Sequence, residues 1–207
     1  MLAKNLKALK PSEEMRDLKI LEELERSPLV SQRVLSHKFN MALGLTNACL
    51  NRMSKRGWIR VEGLNRRRVE YYLTAKGVSE KAKLTLKMIS RTMEQYSELK
   101  KIISNRLLEM KREGMHRIVF YGVGDEMEVA YVTLQRLNLK LVGIVEDDDR
   151  FMPQILFGYE LEPVSRIREL KPEGILITSL AEVDLKKEKL KGLIDRKKVC
   201  IRDIGVC

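Results

Sequence analysis

Between Ala75 and Glu113 the chain holds no proline, and apolar residues recur at 82, 86, 89, 93, 96, 99, 103, 107 and 110. Steps of three and four make one stripe on a continuous helix, close to a heptad seam. A helix of this length extends about 55–60 Å, more than one small domain covers on one face. It therefore cuts the chain of 207 residues into a part before it and a part after it. The stripe predicts a dimer seam centred on Leu86, Ile89, Met93 and Tyr96, the alternative being a helix packed on its own C-terminal half. Gly77 interrupts its first turn.

The two parts differ in charge. Residues 1–113 hold 25 Lys+Arg against 13 Asp+Glu, and residues 114–207 hold 15 against 16, so the whole formal excess of +11 lies in the first part. A basic binding module joined to a neutral one follows, with an acidic partner such as nucleic acid for the first. No run approaches the roughly 18 apolar residues of a membrane span. The start, "MLAKNLKALKPSEEM", lacks the apolar centre of a secretory signal. Cys49, Cys200 and Cys207 lack metal-ligand spacing and His37 and His116 stand apart, so a cytoplasmic protein without a zinc site is expected.

Ahead of the long helix, Ser12 can cap a helix that begins with two acids and continues through Leu18, Leu21 and Leu24 to about Glu25. "SPLVSQRVLSHKF" restarts a helix at Ser31, with Val34, Leu35 and Phe39 as its inward set. After the turn "NMALG", the segment "LTNACLNRMSKRG" puts Thr46, Leu50 and Met53 on one face, and Gly57 ends the helix. "WIRVEGLNRRRVEYYLT" reads as two strands around a Gly/Asn/Arg turn. Helix, helix, turn, helix, hairpin is the order of a winged helix-turn-helix.

If Thr46, Leu50 and Met53 point inward, Gly44, Asn47, Ala48, Asn51, Arg52 and Lys55 point outward on the helix that would enter a major groove. Gly44 and Ala48 admit close backbone approach, Asn47 and Asn51 suit adenine, and Arg52 suits guanine or phosphate. Arg66, Arg67 and Arg68 at the hairpin tip suit minor-groove or phosphate contact. The segment Ser12–Thr85 also resembles winged-helix regulators of the MarR type associated with exopolysaccharide gene clusters. The resemblance rests on Ser31-Gln32-Arg33, Leu43-Gly44, Asn47, Cys49-Leu50, Gly57-Trp58, Leu73-Thr74, Gly77 and Glu80-Lys81-Ala82. It implies dimeric, DNA-binding transcriptional control, and places Ser31 and Gln32 with the DNA-binding set. A short wing and the added C-terminal half depart from that family, so its effectors are not carried over.

After Gly114, short apolar runs alternate with helical stretches: "RIVFYG", a helix 125–137, "KLVGIVE", the loop "DDDRFMPQILF", "GYELEPV", a short helix to Leu170, "GILITS", a helix 184–195 and "KVCIR". Five strands separated by helices indicate a small parallel α/β sheet. Gly122-Val123-Gly124 at a strand end, followed by a helix, is how a dinucleotide site begins. Met127 stands where the third glycine of that fingerprint belongs, and Asp125 brings a negative charge to the helix start. Glu146 lies where a ribose-binding acid is expected and opens an acidic run with Asp147. The half resembles Rossmann-like modules of nucleotide-sugar and polysaccharide-biosynthesis proteins, through Tyr121-Gly122-Val123-Gly124, Val142–Asp148, Gly158 and Val164. The overall plan is similar to redox-sensing repressors that join a winged helix to an NADH-binding Rossmann domain.

Residues 114–207 hold no Tyr-x-x-x-Lys or Ser-His-Asp arrangement, since Tyr121, Tyr131 and Tyr159 have no lysine at i+4. The expected architecture is an α+β winged helix domain over 1–74, a long linking helix over 75–113, and an α/β Rossmann-like domain with a five-stranded parallel sheet over 114–207. The expected partners are double-stranded DNA, a second copy of the chain, and a small nucleotide-type effector at Gly122, Val123, Gly124, Asp125, Glu146 and Asp147. That effector is a nucleotide, a nucleotide sugar or NAD(H). A nucleotide-sugar enzyme subunit and a ligand-free scaffold remain the other readings of this half.

Overall fold

The computed structural model describes residues 12–65, 68–150, 154–195 and 199–205, the side chains of 64, 65 and 68 excepted. The described residues fall into two compact units that divide between Met93 and Glu94.

The first unit opens with α1 (Glu13–Arg26), α2 (Gln32–Lys38) and α3 (Leu43–Lys55), followed by the hairpin β1 (Ile59–Asn65) and β2 (Arg68–Leu73). The caps are those the sequence offers. Ser12 Oγ accepts from Met15 N at 3.2 Å, and Ser31 Oγ accepts from Val34 N at 3.3 Å. Gly57, at φ 71°, closes α3 while Trp58 N donates to Met53 O and Gly57 N to Ser54 O, each at 2.9 Å. These two bonds satisfy carbonyls that the last turn would leave bare. Leu18, Leu21, Leu24, Leu35, Thr46, Leu50 and Met53 are buried, together with Ile20, Cys49, Trp58 and Tyr71. Val34, expected inside, is 52% exposed; α2 is only two turns long and Leu35 alone is buried on it.

The long helix is α4 (Ala75–Arg112). Thr74 caps it, its hydroxyl oxygen accepting from Gly77 N at 3.0 Å. Gly77 is required there because a Cβ would stand 1.9 Å from the Trp58 carbonyl oxygen. The apolar stripe does not behave as one seam. Leu86, Ile89, Met93 and Tyr96 are 65, 54, 58 and 43% exposed, whereas Ile103, Leu107 and Met110 are fully buried. The latter three pack in one core with Ile118, Phe120 and Ala130, so the end of the helix belongs to the second unit.

That unit continues with β3 (Arg117–Tyr121), α5 (Asp125–Gln135), β4 (Lys140–Glu146), β5 (Ile155–Leu156), β6 (Tyr159–Pro163), β7 (Gly174–Ile177), α6 (Val183–Leu193) and β8 (Cys200–Asp203). The five expected strands are present and mutually parallel, in the order β6-β4-β3-β7-β8. A sixth, β5, pairs antiparallel with β6 inside the stretch expected to be loop. The expected helix to Leu170 is a 3-10 turn at Val164–Arg166. Successive side chains of β3 feed two cores. Ile118 and Phe120 meet α4 and α5, while Val119 and Tyr121 meet Leu190 of α6 and Ile167. A sheet covered on both faces explains why β3 and β7 read as continuous apolar runs. Numbered along the chain, the parallel strands stand third-second-first-fourth-fifth, so the order reverses between β3 and β7. In open α/β sheets the ligand crevice forms beyond the strand ends at such a reversal.

Candidate nucleic-acid interface and glycine turn

α3 presents Gly44, Ala48, Asn51 and Lys55 to solvent, as the burial of Thr46, Leu50 and Met53 requires. Arg52, expected to reach guanine or phosphate, is turned back into the unit. Its guanidinium lies 2.5 Å from Asp17 Oδ1 and 3.3 Å from Glu13 Oε1 on α1. Asp17 is 3% exposed. Burial pushes its carboxyl above the usual aspartate range against the pull of Arg52, so the arginine is committed to compensating an enclosed carboxylate. Asn47 is half-buried, with an Oδ1 that is enclosed and without a hydrogen-bond partner.

Ser31 and Gln32 also have internal work. Ser31 caps α2, and Gln32 Nε2 donates to the Tyr71 hydroxyl at 2.8 Å, tying α2 to β2 of the wing. Asn65 pairs with Arg68 across the hairpin. Arg66 and Arg67 lie outside the described residues, as does the Arg68 side chain. Exposed cations on the same unit include Arg33, Lys38, Lys55 and Arg56. The Arg56 guanidinium stacks 4.9 Å from the Trp58 ring centre.

In the second unit, the glycine turn follows β3. Gly122, at φ 116°, adopts a conformation that favours glycine, and a Cβ there would come within 2.9 Å of Ser179 Cβ. The Thr178 hydroxyl, fully buried, donates to Gly122 O at 2.6 Å and fixes the turn against the end of β7. Gly124 is the N-cap of α5, so Asp125 stands in the first helical turn with Glu126 and Glu128 rather than at the cap. Met127, in place of a third glycine, is buried in the core with Phe120 and Leu134.

The acids assigned to a ribose are occupied from within. Glu146 Oε2 accepts from Val123 N at 3.0 Å, and its Oε1 accepts from Asp147 N at 2.9 Å and pairs with Lys186. Asp147 accepts a hydrogen bond from the Tyr121 hydroxyl and pairs with Lys189 at 3.1 Å and Lys186 at 3.6 Å. Lys186 is 1% exposed, and its ammonium sits 4.1 Å from the Tyr121 ring centre. Burial alone raises the Asp147 carboxyl, yet the Tyr121 hydroxyl and the two lysines hold it below the usual aspartate value. The same burial and the bond to Asp147 push the Tyr121 phenol far upward. Glu146 thus fills, with its own carboxylate, a backbone donor that a dinucleotide phosphate uses. As built, the turn does not fit an anionic group. A cleft of about 270 Å³ lies near the ends of β4 and β6, lined by Asp148, Val164, Ser165, Lys189 and Leu193. It includes none of the six assigned ligand residues.

Two features escaped the sequence reading, and each left a faint signal. Asp17 is i−4 to Leu21, so the inward stripe of α1 carried a charge in need of a partner. Lys186 is i−4 to Leu190 on the inward face of α6. Neither spacing names the partner.

With this geometry in view, the comparisons define a class. A family model described as winged helix-turn-helix DNA-binding matches residues 16–60. The first unit is therefore a winged helix-turn-helix DNA-binding domain. No curated protein matches this chain in sequence. Among solved structures, it is similar to Lactococcus lactis ZitR in complex with DNA, at 20% identity over 47% of this chain and 73% of that one, with a TM-score of 0.30. It is also similar to a MarR/EmrR family transcriptional regulator from Acinetobacter sp. ADP1, at 16% identity over 54% and 78%, with a TM-score of 0.35. RSP, a Rex-family repressor, aligns at 14% identity over 96% of this chain and 89% of that one, with a TM-score of 0.35. Scores this low leave the functional reading to the residues themselves. Among the described residues, no helix is long and apolar enough to cross a membrane, and no group of His, Cys, Asp or Glu is arranged to hold a metal.

Proposed function

We infer that this protein is a cytoplasmic, homodimeric transcriptional regulator without catalytic activity, and that its Rossmann-like half tunes DNA binding through an effector. The observation that carries the reading is α3, with its apolar face buried and Gly44, Ala48, Asn51 and Lys55 outward, within the segment that matches the winged-helix model. The charge excess on the N-terminal side supports it. The exposed Leu86, Ile89, Met93 and Tyr96 support dimerisation along α4, since two recognition helices need a fixed spacing of about one helical turn of DNA. The MarR-type resemblance supports target genes of polysaccharide or nucleotide-sugar metabolism.

The strand-order reversal at β3/β7 supports an effector crevice at the second unit. With Glu146 on Val123 N and acids in the first turn of α5, the turn suits a hydroxyl or cationic group better than a phosphate. NAD(H) or another nucleotide enters with its phosphate at Gly122–Gly124 only by displacing Glu146.

The test is salt-dependent binding. Purified protein should bind a defined operator with an affinity that falls steeply as salt rises. Changing Arg66, Arg67 and Arg68 together to alanine should weaken binding to all sequences and lower the salt slope by up to about three phosphate contacts. A triple variant with unchanged affinity and slope removes the wing from the interface, and a parent protein that binds no DNA overturns the reading.

A further inference from the structure

The withdrawal of Arg52 changes which bases α3 is able to read. In a helix-turn-helix the N-terminal residues of the recognition helix contact base edges, so the relevant groups are those on the first two turns of α3 and just beyond. A guanine presents two acceptors, O6 and N7, to the major groove and is read by a cation that bonds both. Arg52 is committed to Asp17 and Glu13. Lys55 is the last residue of α3, at the end away from the bases. The reading end carries no free cation among the residues of α3 from Leu43 to Asn51.

What it does carry is apolar. Leu43 and Leu45 are 39% and 40% exposed, whereas the α1 stripe leucines Leu18, Leu21 and Leu24 are all buried. Leu45 and Ala48 are i and i+3, neighbours on one row of the helix. Ala48 is exposed, and the bare backbone at Gly44 has nothing within 4 Å of where a Cβ would stand. Among the four base pairs, thymine alone offers the groove an apolar group, its 5-methyl. The exposed amide of Asn51, one turn on from Ala48, suits adenine N6 and N7. Apolar and amide readers thus agree on A·T pairs.

We propose that α3 selects its half-site through thymine 5-methyl groups packed against Leu45 and Ala48, with Asn51 on an adenine beside them, so that the partner is duplex DNA with an A·T core in each half-site. The inference rests on the DNA-binding reading above and deepens it. Leu45 and Ala48 are the specificity-determining side chains. Arg52 is a positioning residue that holds α3 to α1.

The full-length protein is used to enrich duplexes from a randomised pool, and each thymine of the enriched site is then replaced singly by deoxyuridine, which lacks only the methyl group. Enrichment of A·T pairs in the half-site core is expected, with a loss of about threefold to fivefold in affinity at one or two thymines, the value for one buried methyl. Leu45→Ala should lower affinity by a similar factor and abolish the uracil penalty at one of those positions. Its native fold is checked by the emission of Trp58, the sole tryptophan. An enriched site with a G·C core, or full affinity after every thymine-to-uracil change, overturns the proposal while leaving DNA binding intact. Salt-sensitive binding without enrichment overturns it as well. Absence of any DNA binding overturns both readings together.

Discussion

Lys186→Met removes one charge from an enclosed cluster and leaves the length of the side chain nearly unchanged. The lysine side chain is 2% exposed, and those of Glu146 and Asp147 are 12% and 7%. Breaking a buried pair from one side costs about 3–5 kcal/mol, because the remaining charge stays enclosed without its partner. Two carboxylates would be left, but Glu146 keeps two backbone donors, and Asp147 keeps the Tyr121 hydroxyl and Lys189. That residual support places the expected loss at the lower end, about 3 kcal/mol. The pH dependence follows from Asp147, whose carboxyl is held below its ordinary value of 3.8 in the folded state. A depressed carboxylate contributes stability that is full above the unfolded value and is lost as the pH falls through the folded one. The gap between parent and variant should therefore be widest near neutrality and close in acid, below 3.8. Guanidinium unfolding followed by far-UV circular dichroism reports both units. Fluorescence of Trp58, which lies in the first unit, provides an internal reference that should not move. Adding Asp147→Asn to the same chain removes one of the two uncompensated charges and keeps an oxygen for the Tyr121 hydroxyl, and should recover part of the loss. A C-terminal transition displaced by less than about 1 kcal/mol at neutral pH, or a loss that is just as large in acid, refutes the reasoning.

Two further outcomes are expected. Gly77→Ala puts a Cβ 1.9 Å from the Trp58 carbonyl oxygen, a backbone atom that cannot swing aside, so the first unit should lose about 1–3 kcal/mol or more by Trp58 fluorescence; an unchanged midpoint would show that α4 shifts freely there. Glu at both Ile89 and Met93 buries like charges across a two-fold seam and should give monomers in sedimentation, and a variant that stays dimeric moves the interface off this stretch of α4.

The elements were legible because each is written in local spacing. Ser12 and Ser31 announce helix starts by chemistry that acts over three residues. The stripes of Leu18, Leu21 and Leu24, and of Thr46, Leu50 and Met53, state which face of a helix is inward, and all six are buried. The apolar runs of β3 and β7 carry their burial in their composition, and Gly122 marks a turn that only glycine makes without strain. β5 was missed because two residues show no period; it exists only against β6, which supplies its hydrogen bonds.

The sequence by itself determined a winged helix, a long helix and a parallel α/β sheet, because hydrophobic periodicity and capping depend on neighbours a few positions away. Tertiary structure decided where the charges go and which part of a continuous stripe is covered. Arg52 looked outward by helical phase, yet it turns to Asp17, 35 positions earlier. Glu146 looked free for a ribose, yet it is held by Val123 N and by Lys186, 23 and 40 positions away. The stripe of α4 is unbroken in sequence, but Leu99, Ile103, Leu107 and Met110 meet the sheet core, while Leu86, Ile89 and Met93 stay exposed. A buried charge is stable only beside a partner that offsets its desolvation, and that partner is chosen by the fold rather than by spacing along the chain.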